Sequence, residues 1–175
     1  STHALSASYY ADQAVWCTAE IVAHEQIARE TYRLRFTAPA IAERITPGQF
    51  IMLRLAGFDD PLLGRALALF DVATNEAGEL ADVEVVYMVV GKMTRRLTAF
   101  QPGQKLEVWG PLGNGFPIVA TSHLIMVAGG VGITPFLAVA KRQLRQRAYG
   151  NAVVRSQEPG DSRVTLCYGA RTADY

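Results

Sequence analysis

Leu124-Ile125-Met126-Val127-Ala128-Gly129-Gly130-Val131-Gly132-Ile133-Thr134-Pro135 divides the chain into two grammars. Its first five residues are a continuous apolar run, the pattern of a strand covered on both faces in a parallel sheet. Glycines follow where strand hands over to helix. They allow a tight turn and let a pyrophosphate approach the backbone, while the helix start offers free amides and the positive end of its dipole. Residues 133–148 read as that helix. Pro135 falls in its first turn, where proline is tolerated; Phe136, Val139, Ala140 and Leu144 form an apolar stripe; Lys141, Arg142, Arg145 and Arg147 enrich the last turns in cations. Residues 150–161 read as a polar loop and 164–168 as a second strand, so the unit is strand–helix–strand and implies a parallel sheet. Gly129, Gly130, Gly132, Ile133, Thr134 and Pro135 are candidate contacts for a dinucleotide, with proline standing where the usual fingerprint has its last glycine.

Upstream the pattern is different. Thr31-Tyr32-Arg33-Leu34-Arg35-Phe36 alternates strictly, as a strand with one buried and one wet face does. Residues 15–27, 50–55, 66–72, 83–89 and 105–109 read as further strands, punctuated by Pro47-Gly48, the loop at 74–78 and Pro102-Gly103. Residues 94–100 read as one or two helical turns. About six short strands with little helix predict a sandwich or small barrel. The domain boundary is expected between Pro111 and Ser122.

Composition narrows the function classes. The chain has 175 residues, 50% hydrophobic and 19% charged, which excludes a disordered chain. A formal net charge of +1 gives no electrostatic footprint for nucleic acid. Two cysteines, Cys17 and Cys167, are too few for a disulfide framework or an all-cysteine cluster, and both read as apolar filler. No signal-like run opens the chain, so a reducing, cytoplasmic location is expected. Residues 118–140 are apolar enough to catch a hydropathy window, but His123, the glycine cluster and Pro135 read against a membrane span. The histidines His3, His24 and His123 are scattered, no serine elbow or metal-spaced pair is present, and His123 reads as structural.

Three further segments carry possible chemistry. In Val89-Val90-Gly91-Lys92-Met93-Thr94, glycine frees the backbone, Thr94 can cap the helix behind it, and exposed amides with Lys92 suit a phosphate. Gly64-Arg65-Ala66-Leu67-Ala68 places an arginine at the start of an apolar strand, where it can pair with a phosphate bidentately. Gly110-Pro111-Leu112-Gly113-Asn114-Gly115-Phe116-Pro117 reads as a rigid loop at the domain junction, without chemistry of its own.

The order of these segments resembles the ferredoxin–NADP reductase superfamily. Within it the chain is most similar to the electron-transfer subunits of two-subunit, NAD-linked dihydroorotate dehydrogenases. Pro47-Gly48-Gln49-Phe50, residues 86–94, residues 110–116 and residues 128–135 carry the likeness. Residues 1–13 read as a flexible arm, and the resemblance implies a six-stranded antiparallel Greek-key β-barrel holding FAD at residues 14–117. It implies, next, the first part of an α/β domain for NAD(P), truncated, at 118–175. Arg65, Ala66, Leu67, Ala68, Val86, Tyr87, Met88, Gly91, Lys92, Met93 and Thr94 then fall at FAD; Gly129, Gly130, Gly132, Ile133, Thr134 and Pro135 fall at NAD(H). A 2Fe–2S cluster is implied only with a further C-terminal segment. The implied partner is a flavin-containing dehydrogenase subunit, and the implied pathway is pyrimidine synthesis.

The chain departs from the family pattern at several of these positions. Ala66 and Ala68 replace the proline and serine of the arginine segment, Met88 replaces an arginine, and Met93 replaces the second glycine of the phosphate corner. Two alternatives follow: a flavin-free barrel acting as a docking or regulatory module, and a stand-alone NAD(P)H:flavin or ferredoxin reductase.

Overall fold

The computed structural model describes residues 13–75, 77–117, 120–150 and 162–172. The expected arm, apart from Gln13, and all but the first residue of the expected loop at 150–161 lie outside the described residues.

Six strands close into a barrel: β1 (Val15–Ala28), β2 (Thr31–Thr37), β3 (Phe50–Leu55), β4 (Arg65–Thr74), β5 (Leu80–Met88) and β6 (Lys105–Leu112). Their order around the barrel is β1-β2-β5-β4-β3-β6, with every neighbouring pair antiparallel. β1–β2, β3–β4 and β4–β5 follow one another in sequence, whereas β2–β5, β3–β6 and β1–β6 pair strands distant in sequence, which is a Greek key. The period-2 pattern explains the packing. Leu34 and Phe36 of β2, Ile51, Leu53 and Leu55 of β3, and Val83 and Val85 of β5 are wholly buried. Their sequence neighbours face outward, as alternation across a pleat requires. β1 is long because it serves two partners: residues 15–20 pair with β6 and residues 20–28 with β2. At the β1–β6 seam Trp16 stands opposite Trp109, and both rings are exposed.

Inside the barrel, Tyr87 stacks on Tyr32 with ring centroids 5.6 Å apart. His24 Nδ1 lies 2.9 Å from the Phe100 carbonyl, which can only accept. Nδ1 therefore carries the proton, and Nε2 accepts from the Tyr87 hydroxyl at 2.9 Å. Two helices complete the barrel. α1 (Pro39–Ala42) starts on a proline and buries Ile41 and Ala42; α2 (Lys92–Leu97) follows β5 and buries Met93, Thr94 and Leu97.

Two of the sequence segments quoted above hold each other. Gln49 accepts the Thr46 amide through Oε1 and donates to the Gly113 carbonyl through Nε2, each at 2.8 Å. The Phe116 amide donates to Pro47 at 2.8 Å. Gly48 sits at φ +91° with Phe116 directly against it.

The second unit is β7 (His123–Gly129), a 3₁₀ turn (Gly130–Ile133), α3 (Phe136–Gln143) and β8 (Arg163–Gly169). β7 and β8 pair in parallel from His123↔Arg163 to Gly129↔Gly169, as the strand–helix–strand reading expects. Three expectations need correction. The helix is shorter than 133–148: a 3₁₀ turn and Pro135, which lacks an amide, precede it, and Arg145 at φ +54° ends it. β7 is not covered on both faces. Met126 is buried on one face, while Ile125 and Val127 are 59% and 73% exposed on the other. Cys167, opposite Val127 on that open face, is exposed rather than buried filler; Cys17 is half-buried, and burial pushes its thiol pKa up. Among the described residues, no helix is long and apolar enough to cross a membrane, and no group of three or more metal-ligating side chains gathers.

Tyr87 and Tyr149 are both 2% exposed. Burial pushes both hydroxyls far above the usual tyrosine range; for Tyr149 the hydrogen bond to Asp71 adds to it. The folded state holds them neutral, whereas an unfolded tyrosine ionises near pH ~10. Their contribution is therefore intact below that pH and is lost as pH rises past it, by up to about 1.4 kcal/mol per pH unit for each ring. The urea midpoint is expected to stay flat from about pH 8 to 9 and to fall steeply from about pH 10 to 11.5. Tyrosinate absorbance from these two rings should appear only with unfolding.

Candidate functional site

The barrel wall is split where the sequence placed the site. β4 and β5 pair from Leu69↔Val85 to Thr74↔Leu80. Continued in the other direction, the same register would join Ala68 to Val86, Leu67 to Tyr87 and Ala66 to Met88. None of these pairs forms. Residues 65–68 turn to β3 instead, and residues 86–88 pair only with β2. A bulge between Leu69 and Asp71 marks the divergence. Two strand edges with open backbone donors and acceptors thus face a common cleft.

Alternation sorts the side chains there. Leu67 and Tyr87 point into the barrel and are buried, so they can meet a ligand only through backbone. Ala66, Ala68 and Met88 point outward. Val86 also faces outward and is covered. Arg65, at the mouth of the cleft, is exposed and donates only to backbone carbonyls, to Gly64 at 3.1 Å and Leu63 at 3.5 Å. It has no carboxylate partner among the described residues, which leaves its charge for an anion.

The corner at the end of β5 is shaped by Thr94. Its hydroxyl accepts the amides of Val90 and Gly91, each at 3.1 Å, and donates to the Gly91 carbonyl at 3.2 Å. Thr94 is buried, so it builds the corner rather than presenting its own hydroxyl. The Lys92 and Met93 amides belong to the first turn of α2, where no intrahelical acceptor exists. The Met93 side chain is inside the barrel, so it does not obstruct the corner as its bulk suggests. Gly91 is extended, at φ −156°, and a Cβ there would meet nothing within 4 Å. The fold therefore does not need glycine at 91; the space in front of it is open to a ligand. Lys92 is ion-paired with Asp60 in this structure, and its hydrogen bond holds the Asp60 carboxyl below the usual range.

The glycine turn faces the outer side of the split. A cavity of about 530 Å³ lies between them. Phe70, Val86 and Met88 form its barrel wall; Gly129, Gly130, Val131, Ile133 and Thr134 form the opposite wall, and the end of β8 closes a third side. Gly130 needs its φ of +52°, while a Cβ on Gly132 would meet nothing within 4 Å, as at Gly91. Gly132 and Pro135 belong to the turn but are not on the cavity wall. Sequence reasoning missed Phe70, which the bulge swings outward, and Ile27, Ala28 and Thr31 at the β1–β2 hairpin, because neither carries a motif. The chemistry of this set suits a flat, largely apolar ring system with an anionic tail: apolar walls, open backbone edges, Arg65 and Arg171 without a carboxylate partner among the described residues, and a helix start.

A family model described as oxidoreductase FAD-binding domain matches residues 18–116. The electron transfer subunit of dihydroorotate dehydrogenase B (NAD(+)) from Geobacillus thermodenitrificans is 36% identical over 125 residues, 70% of this chain and 47% of the relative. The protein of the same description from Desulforamulus reducens is 32% identical over 152 residues, 86% of this chain and 55% of the relative. The chain thus spans about half the length of the curated relatives it matches. Among solved structures, an NADH-dependent reduced ferredoxin–NADP oxidoreductase has a TM-score of 0.69 and 30% identity, over 90% of this chain and 50% of that one. The ferredoxin reductase of carbazole 1,9a-dioxygenase has a TM-score of 0.71 at 22% identity, over 92% and 44%, and shares the fold.

Proposed function

Because the chain belongs to the oxidoreductase FAD-binding domain family, we propose that it binds FAD in the split of its barrel and exchanges electrons with NAD(H) at the glycine turn. We further assign it to the electron-transfer subunit of an NAD-linked dihydroorotate dehydrogenase, working beside a flavin-containing partner subunit in pyrimidine synthesis. The observation that carries the reading is the unpaired wall between β4 and β5, with Arg65 and the open space before Gly91 at its mouth.

When bound, FAD supplies the step between two-electron exchange with a nicotinamide and one-electron exchange with a partner centre. The chain's own residues bind, orient and exclude water. Arg65 and the amides of Lys92 and Met93 would hold the pyrophosphate in the space before Gly91. The backbone edges at 66–68 and 86–88 would meet the polar rim of the ring, since Ala68 has no hydroxyl and Met88 no charge to offer. Phe70, Val86 and Met88 would cover its apolar part and keep the cavity dry. The turn at 129–134 would carry the nucleotide on the opposite wall.

Purified protein incubated with FAD and desalted is expected to retain close to one flavin per chain, visible in its absorption spectrum. NADH added without oxygen is expected to bleach those bands. Arg65→Ala is expected to weaken FAD by roughly 30-fold, about 2 kcal/mol, the worth of a charge-assisted hydrogen-bonded pair. A spectrum free of flavin at saturating FAD would instead identify the barrel as a docking module.

A further inference from the structure

Asp71 is a buried carboxylate that the proposed FAD site leaves unused. It is 5% exposed on β4, next to Phe70 on the cavity wall. Its Oδ1 accepts the Val72 amide at 2.9 Å and the Tyr149 hydroxyl at 2.7 Å. Lys141 Nζ donates to Oδ2, and Arg147 Nη1 lies 3.7 Å from Oδ1 while donating to the Val72 carbonyl. Its three side-chain partners, Lys141, Arg147 and Tyr149, therefore lie on α3 or just beyond it. β4 is also the barrel strand against which α3 packs. A carboxylate this buried is costly unless it is fully paired, and here pairing comes almost entirely from the second unit of the chain.

The other end of α3 begins at the glycine turn. About two helical turns separate Lys141 from Thr134. Phe70 and the turn stand on opposite walls of the same cavity. The carboxylate thus ties one wall of the cavity to the helix that carries the other.

We propose that Asp71 is a positioning residue: it latches α3 to β4 and thereby sets the gap between the split barrel wall and the glycine turn, where NAD(H) must meet the flavin. What occupies the gap rests on the function proposed above; the latch itself does not. Asp71 touches neither ligand in this scheme. It acts through Phe70 on one side and α3 on the other.

The test uses the full chain with Asp71→Asn, Lys141→Met and the double variant. Asp71→Asn keeps the shape but leaves both cations without their carboxylate. The Lys141 side chain is 29% exposed, so Lys141→Met probes the same latch where Asp71→Asn does not fold. Amide hydrogen exchange is read without cofactor. At α3 and residues 129–135 exchange is expected to rise about tenfold or more in each single variant, with β2 and β5 unchanged. The double variant is expected to add little to Asp71→Asn, as one shared interaction requires. An unchanged α3, equal acceleration of the barrel strands, or additive effects would overturn the latch.

With FAD added, Asp71→Asn and Lys141→Met are each expected to raise the Kd for NAD⁺, read from the flavin spectrum, about tenfold while the Kd for FAD stays within about threefold. Equal losses of both would overturn the positioning role. A wild-type chain that holds no FAD would overturn the proposed function instead, and the exchange measurement would still decide the latch.

Discussion

Gly91→Asp is expected to weaken FAD binding by about two orders of magnitude while leaving the barrel as stable as before. Glycine at 91 is the N-cap of α2, in extended backbone that any residue adopts. A Cβ there meets nothing within 4 Å, so the fold has no objection to a side chain. Aspartate is among the best N-cap residues, and its charge suits the positive end of the helix. On stability alone the change is neutral or favourable by a few tenths of a kcal/mol. A pyrophosphate over the same amides meets a carboxylate instead of open space. Two unit charges about 6 Å apart repel by roughly 3 kcal/mol at an effective dielectric constant near 20, which is about two orders of magnitude in affinity. FAD titration followed by flavin fluorescence, alongside urea denaturation of the apo chain, separates the two effects. Equal FAD affinity in the variant and the parent would place the pyrophosphate elsewhere.

Gly48→Ala is expected to do the opposite, costing about 3 kcal/mol of stability and lowering Tm by about 10 °C. Gly48 has φ +91°, and a Cβ on it would lie 2.4 Å from Phe116 Cδ2 and 2.6 Å from the Phe116 backbone nitrogen. The ring could swing aside, but the backbone nitrogen cannot: its proton is bonded to the Pro47 carbonyl. Strain at positive φ adds to the clash. Thermal unfolding of the apo chain checks it, and a Tm within about 2 °C of the parent would mean that the 47–49 turn and the 113–116 loop are not held together as described. The two glycines make a useful contrast. One is required by the chain's own packing, the other by nothing the chain itself supplies.

The strands were legible wherever one face is buried and the other wet. Residues 31–36 and 83–89 alternate because a closed barrel hides every second side chain; the observed β2 follows that alternation, and in β5 the outward Asp82 and Val86 are covered as well. The split was not legible. Residues 65–68 read as an ordinary strand, and their loss of β5 as a neighbour depends on a bulge at Phe70 that no local signal announces. The four-residue helix α1 is too short to show a period. The segments of the proposed site were legible in order, because a corner offered for a phosphate needs glycine and a helix start close together. Which side chains face the ligand was not, since Leu67, Tyr87 and Met93 sit in those segments and point inward. At β7 the apolar run was read as buried on both faces. Apolarity records what a strand prefers, and one face of this one, with Ile125 and Val127, stays exposed.

The paired rings at the β1–β6 seam have an optical consequence. Trp16 and Trp109 are the chain's two tryptophans, and they stand opposite one another on the first and last strands of the barrel. All of the indole emission therefore originates at the one seam that closes the cylinder, from solvent-exposed rings. Indole emission also overlaps flavin absorption. The molecule thus carries a built-in, label-free donor that reports barrel closure in the apo chain and, by resonance energy transfer, the arrival of a flavin across the wall.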